Sequence, residues 1–345
     1  MADSAFRSPS ITSTLSSRHT RPHAIEPQSN AKTLVRRLVW KMAIATFILM
    51  AIGSATRVMN AGLACPDWPL CYGTLYPAQQ MNLRVFLEWF HRLDAALIGV
   101  MAIALMVLSW FNRRVLPGWM PLASVFAFGL ICFQGILGGL TVTEMLRFDI
   151  VTAHLGTALL FFMTLLVMGT LLLPPQPETA ENETLSSPKL VLGYIHWVSL
   201  GAAILVYMQS ITGALVGSQW ALHQCMSLAS LCNVMNSHLI GVIPASFASL
   251  FVVGIAWRNP DINPSLRALA WGVAALLCTQ LLLGAATFKL HLQVELLTVL
   301  HQSVGAALLA VLLIISVLGL RLRHFNMANA TLSGDVNGLG QAIES

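Results

Sequence analysis

Apolar residues occur in long blocks separated by short polar stretches, and block length decides which element each block can form. Runs of about 20 largely apolar residues can be drawn at 39–59, 88–110, 119–142, 149–173, 190–216, 234–257, 267–288 and 296–320. As a helix rising 1.5 Å per residue, each is long enough to cross a hydrocarbon layer of about 30 Å. The expected fold is all-α: a polytopic membrane protein with eight transmembrane helices. Composition agrees, because 56% of the 345 residues are hydrophobic and only 10% are charged. A soluble domain of this size needs more charge than that to keep its surface in water.

The blocks also repeat. Residues 134–160 read QGILGGLTVTEMLRFDIVTAHLGTALL and residues 280–309 read QLLLGAATFKLHLQVELLTVLHQSVGAALL. Each has Gln, then Gly four residues later, a short polar loop, and a His at the start of an apolar helix followed by small residues. His91 opens the second helix and His238 the sixth; 154 minus 91 and 301 minus 238 are both 63. Helices one to four and five to eight therefore read as two tandem pseudo-symmetric four-helix bundles. The expected domains are a disordered cytoplasmic tail at 1–38, a first bundle at 39–175, a cytoplasmic linker at 176–189, a second bundle at 190–320 and a tail at 321–345. Gly138, Gly139, Gly156, Gly213, Gly217, Gly284 and Gly305 read as positions of close helix packing.

Basic residues set the orientation, because cytoplasmic flanks collect Lys and Arg. Arg36, Arg37, Lys41, Arg113, Arg114, Lys189, Arg258, Arg267, Arg321 and Arg323 fall on one side of an eight-span arrangement, and Arg57, Arg84, Arg147 and Lys289 on the other. Both termini are expected to be cytoplasmic, in a bacterial plasma membrane. The polar first 35 residues have no apolar core for a cleavable signal peptide, and a mitochondrial transit segment has a similar composition, so a mitochondrial inner membrane is the second reading. The net charge of +5 is spread over several loops. It reads as topology, with membrane lipid as the surroundings and no nucleic-acid partner.

Six cysteines divide by location. Cys132 and Cys278 lie within helices, where a thiol acts as a small apolar group. Cys65 and Cys71 share the first outer loop, and Cys225 and Cys232 the third. In an oxidising compartment each pair suits a disulfide; unpaired thiols or a metal site are the alternatives.

Four histidines, His91, His154, His238 and His301, sit near the outer ends of the even-numbered helices, two per bundle. A single intramembrane His is commonly a hydrogen-bonding core residue, but a layer of four at repeat-equivalent positions marks function. Two facing histidines in a four-helix bundle suit the two axial positions of a haem iron, whereas zinc takes three or four donors together. Haem also accounts for Arg57, Arg84, Arg92 and Arg147 at the outer helix ends, where they could pair with its propionates; lipid headgroup contact is the alternative.

The halves differ at one place. EWFHR at 88–92 supplies Glu88 three residues before its His and Arg92 directly after, while VMNSHL at 234–239 has Met235 and Leu239 there. Glu88 and His91 share a helix face. A carboxylate beside an iron-bound substrate could relay protons or stabilise positive charge on an oxidised carbon; otherwise Glu88 is a helix-start residue favoured by the dipole.

With GLACPDWPLCYG, EWFHRLDAALIG, TAHLGTALL, NSHLIGV and LHQSVGAALL, the chain resembles the bacterial type of the haem A synthase family over residues 39–320. The resemblance implies an oxidoreductase that converts the ring-D C8 methyl group of haem O to a formyl group, in haem A biosynthesis for cytochrome oxidase. It implies that His91 and His154 hold the substrate haem O, that His238 and His301 ligate the iron of a haem b cofactor, and that Glu88 is the catalytic carboxylate. The family's loop cysteines correspond to Cys65 with Cys71 and Cys225 with Cys232. Implied partners are haem O, the farnesyltransferase that makes haem O, and an electron donor; a homo-oligomer is left open.

Two successive hydroxylations would give a gem-diol that loses water to leave the aldehyde, with the protein supplying position and charge. The loop at 65–71 would cap the substrate bundle, with Asp67 and Trp68 at its edge; a redox-active cysteine pair is the alternative. The rival function is a non-catalytic two-haem b-type membrane electron carrier, which uses the four histidines but leaves Glu88 and Arg92 without a role.

Overall fold

The computed structural model describes residues 27–174, 189–217, 230–260, 262–290 and 293–344. Among them, eight helices are long and apolar enough to cross a membrane. They are α1 (Pro27–Val58), α2 (Leu83–Phe111), α3 (Met120–Thr143), α4 (Phe148–Leu171), α5 (Lys189–Gly217), α6 (Ser230–Arg258), α7 (Pro264–Lys289) and α8 (Glu295–Glu344). This is the eight-helix all-α arrangement expected from the apolar runs.

Several helix starts have a local cause. The Asn82 side chain accepts the N–H groups of Arg84 and Val85 at 3.0 and 3.1 Å, satisfying donors that the first turn of α2 leaves unpaired. Asn263 does the same for Ser265, with Pro264 pre-set at the first helical position of α7. Between α3 and α4 the chain turns through Met145 and Leu146, both at positive φ.

Helix ends differ from the sequence expectation. α1 begins at Pro27, inside the stretch read as a disordered tail, because Val35, Val39 and Met42 recur at helical spacing and are all fully buried. α8 continues to Glu344 through the stretch read as the C-terminal tail. α2 begins at Leu83, one turn before the apolar run, where Asn82 caps it. Residues 175–188, which hold most of the expected linker, lie outside the described residues.

Packing closes two rings. α1 contacts α2 and α4, and α3 contacts the same two; α5 contacts α6 and α8, and α7 contacts the same two. The rings meet where α4 touches α5 and α8, and α1 touches α8. For this reason α4 and α8 are the most enclosed spans, with 50% and 56% of their apolar windows buried against 17–33% elsewhere. Phe161, Phe162, Leu165 and Leu166 of α4 join Leu308, Leu309, Leu312 and Leu313 of α8 in one continuous core. At one end of this seam, Arg321 of α8 donates to the Thr170 and Leu173 carbonyls at 2.7 and 2.8 Å, satisfying acceptors that the end of α4 leaves open. The outward flanks keep large exposed apolar residues, among them Phe111, Phe247 and Trp257, as lipid contact requires.

Candidate functional site

The four histidines share one local construction. Each imidazole lies with Cε1 against a glycine of the preceding helix. A Cβ added at Gly53 would come within 2.8 Å of His91 Cε1, at Gly138 within 3.3 Å of His154, at Gly213 within 3.0 Å of His238 and at Gly284 within 2.9 Å of His301. Any side chain would collide with the ring or crowd it, so glycine seats the imidazole on bare backbone. Gly138, Gly213 and Gly284 thus receive a side chain rather than a neighbouring helix backbone. Gly53 was not singled out from sequence, because the Gln that precedes the other three glycines by four residues is Leu49 in α1.

Those glutamines also serve the histidines. Gln134 donates to the His154 carbonyl at 2.9 Å. Gln209 donates to the His238 carbonyl at 2.6 Å and lies 3.0 Å from His238 Nδ1, which Thr212 Oγ1 also approaches to 3.0 Å. Gln280 Nε2 stands 3.4 Å from His301 Nε2. Gln209 and Thr212 were missed from sequence; the shared Gln-x-x-x-Gly spacing at 134–138, 209–213 and 280–284 is the signal that could have found them.

His91 and His154 face one another with ring centres 6.5 Å apart and planes at 71°. Two imidazoles sharing one metal, each nitrogen about 2 Å from it, put their ring centres roughly 6 Å apart, so this pair has a spacing that suits two donors to one metal. The imidazoles of His91 and His154 are buried, and each has as a neighbour the backbone carbonyl one turn before its seating glycine, that of Leu49 and that of Gln134. His238 and His301 line a cavity of about 430 Å³ walled mainly by the second ring, with Met50 and Ala51 of α1 and Leu155 and Leu159 of α4 on its other side. Its walls are apolar apart from a few side chains, including Gln209, Gln280, Gln302 and Arg57. Among the described residues no group of three or more His, Cys, Asp or Glu comes together, so each pair offers two protein donors.

At the mouth of the first pair the loop after α1 is tied down. Cys65 and Cys71 form a disulfide, both buried. Glu88, 4% exposed, accepts the Cys65 N–H at 2.8 Å and pairs with Arg92 Nη2 at 2.5 Å. Arg92 Nη1 donates to the Asp67 and Leu70 carbonyls at 2.6 and 2.5 Å, so its fork spans the loop from within. Asp67 accepts the N–H groups of Tyr72 and Gly73 at 2.6 and 2.7 Å; donation from Gly73 above all holds its carboxyl below the usual range. The Trp68 ring lies over α3, 3.2–3.3 Å from where a Cβ of Gly139 would stand. A short turn rich in proline and glycine is thereby locked as a lid on α2 and α3. Cys132 and Cys278 are free and exposed. Cys225 lies outside the described residues, as does the side chain of Cys232.

The arginines have separate fates. Arg92 is committed to the lid. Arg147 is taken by Asp149 at 2.8 Å and Glu144 at 3.3 Å, and Asp149 raises its pKa above the ordinary value. Arg84 is exposed at the start of α2. Arg57, in the last turn of α1, lines the cavity of the other ring.

Fold and site define a polytopic helical membrane protein with two tandem histidine pairs, the first flanked by a buried carboxylate that is bonded to a disulfide loop. The COX15-CtaA family model, described as cytochrome oxidase assembly protein, matches residues 36–313, and the chain belongs to this family. Among its relatives, Heme A synthase of Shewanella oneidensis is 26% identical over 331 residues, covering 81% of this chain and 95% of the relative. Heme A synthase of Rhizorhabdus wittichii is 27% identical over 343 residues, covering 85% and 95%, and that of Rhodospirillum centenum 28% over 341 residues, covering 84% and 90%.

Proposed function

We propose that this chain is a haem A synthase of a bacterial plasma membrane, with both termini cytoplasmic, that oxidises the ring-D C8 methyl group of haem O to a formyl group. The observation that carries this reading is the asymmetry of the two histidine pairs: beside the first stands the buried Glu88, paired with Arg92 and bonded to the 65–71 loop, while the second has Met235 and Leu239 at the matching places. A carrier that only passes electrons needs no such difference. The relatives, named Heme A synthase, point the same way.

In this reading His91 and His154 hold haem O as substrate, and His238 and His301 hold haem b. The haem irons, when bound, supply the redox chemistry of two hydroxylations and the relay of electrons from a donor protein. Gly53 and Gly138 orient the first imidazole pair, and Gln209 with Thr212 fixes which nitrogen of His238 faces the cavity. The 65–71 lid keeps bulk water from the substrate bundle. Glu88, held in place by Arg92 and the Cys65 N–H, relays protons or stabilises positive charge on the carbon being oxidised.

The test is haem extraction and chromatography after expression with haem O, comparing wild type, Glu88→Gln and His238→Ala. Gln is chosen because its amide oxygen can still accept the Cys65 N–H. Wild type should accumulate haem A or its hydroxylated precursor, while Glu88→Gln retains haem and makes little product. Only haem b in every variant would return the chain to the electron-carrier reading.

A further inference from the structure

Arg57 belongs by sequence to the first bundle but by position to the second bundle's cavity. It leaves the last turn of α1, crosses the seam where α1 meets α8, and lines the cavity beside His238, His301 and Gln302. Its guanidinium rests on the end of α5, where a Cβ at Gly217 would come within 2.8 Å of Nη2. Nη2 reaches Gln302 Oε1 at 3.4 Å, and Nε is buried without a partner. Gly217 therefore clears space for a charged side chain from the opposite half.

A cation in an apolar cavity requires a counter-ion, because an unpaired charge away from water is costly. Among the described residues Arg57 makes no ion pair with a carboxylate, and no Asp or Glu lines the cavity. Residues 218–229 and 291–292, which complete the loops at this end, contain no Asp or Glu in sequence. Glu295, at the start of α8, is exposed. The negative charge must come with the ligand.

We infer that Arg57 is the counter-ion for a carboxylate of the ligand in the His238/His301 cavity, so that the first bundle completes the second bundle's site. This rests on the reading of that cavity as a haem site, where the carboxylate is a propionate. The Arg57 side chain lines the cavity and its Nε has no hydrogen-bond partner, so the guanidinium has donor capacity left for a charge-assisted contact. Such a contact also ties α1 to a ligand held by α6 and α8.

The test uses the full chain, purified in detergent and stripped of haem, in a His91→Ala background so that only the second pair remains. Binding of b-type haem and of its dimethyl ester is titrated by the Soret band for this background and for added Arg57→Gln or Arg57→Lys. Arg57→Gln should keep the bis-histidine spectrum while weakening haem binding about thirtyfold or more, and Arg57→Lys should lose less. Esterification should weaken the parent strongly and Arg57→Gln little. Equal haem affinity in parent and Arg57→Gln, or an equal effect of esterification on both, would overturn the assignment. If adding His238→Ala leaves haem binding unchanged, the cavity reading itself fails and the Arg57 assignment with it.

Discussion

Glu88 accepts the backbone N–H of Cys65 at 2.8 Å, joining the face of α2 that carries His91 to the disulfide loop 23 residues earlier. The residue proposed for chemistry is therefore also an anchor of the lid. Substitutions in this cluster should affect stability and product formation by separable amounts.

Arg92 and Glu88 form a largely buried pair, with side chains 15% and 5% exposed. Removing one member leaves the other charge unpaired, which costs about 3 kcal/mol or more in such settings. Arg92→Met is expected to lower thermal stability in detergent clearly, and Arg92→Met combined with Glu88→Gln to recover part of the loss. A double-variant value equal to the sum of the singles would show that the pair does not act as a unit.

Opening the lid chemically should be milder. Cys65→Ser with Cys71→Ser removes a cross-link over a short loop, worth about 2 kcal/mol, yet the Arg92 fork and the Asp67 turn persist. Reduced but measurable haem A formation is expected in a chromatographic assay. Complete loss with a stably folded, haem-loaded protein would favour a redox role for the cysteines.

The glycine seats make a graded prediction. Gly53→Ala and Gly284→Ala, where the imidazole would lie within 2.8 and 2.9 Å of the new Cβ, should disturb haem binding more than Gly138→Ala at 3.3 Å. Overpacking of this kind costs about 1–3 kcal/mol. Haem-to-protein ratios after purification, with the low-spin spectrum as readout, would show the order; an unchanged ratio in all three would show that the imidazoles need no glycine seat.

His238 Nδ1 has two polar neighbours at 3.0 Å, Gln209 and Thr212. Gln209→Leu should loosen the ring and weaken haem binding at the second pair about tenfold. Soret titration in the His91→Ala background would measure it, and Thr212→Val should act in the same direction.

Acid should reach the lid late. Because Gly73 and Tyr72 N–H groups depress the Asp67 pKa, its contribution to lid stability is fully present above the ordinary value of about 4 and is lost only as pH falls through the lower folded value. Asp67→Asn, which keeps one acceptor, should remove that acid transition. Proteolysis of the loop between pH 3 and pH 7 would follow it; identical profiles for both proteins would place the acid sensitivity elsewhere.

Much of this molecule was legible from local chemistry. The length of an apolar run decides whether a helix can cross a bilayer, and the equal spacing of His91 to His154 and of His238 to His301 marks a repeat before any contact is known. Even the contrast between Glu88 with Arg92 and Met235 with Leu239 needs only the register. Partnership across space does not follow from such patterns. Arg92, Arg147 and Arg57 look alike as basic residues at outer helix ends, yet one fastens a lid, one is neutralised by Asp149, and one reaches into the other bundle's cavity. A long side chain can point in several directions from one backbone position, and only the packing of α1 against α8 and the missing side chain at Gly217 select among them. Gly53 was hidden for the same reason: a glycine in an apolar helix carries no sign of what will rest on it until α2 lays His91 there.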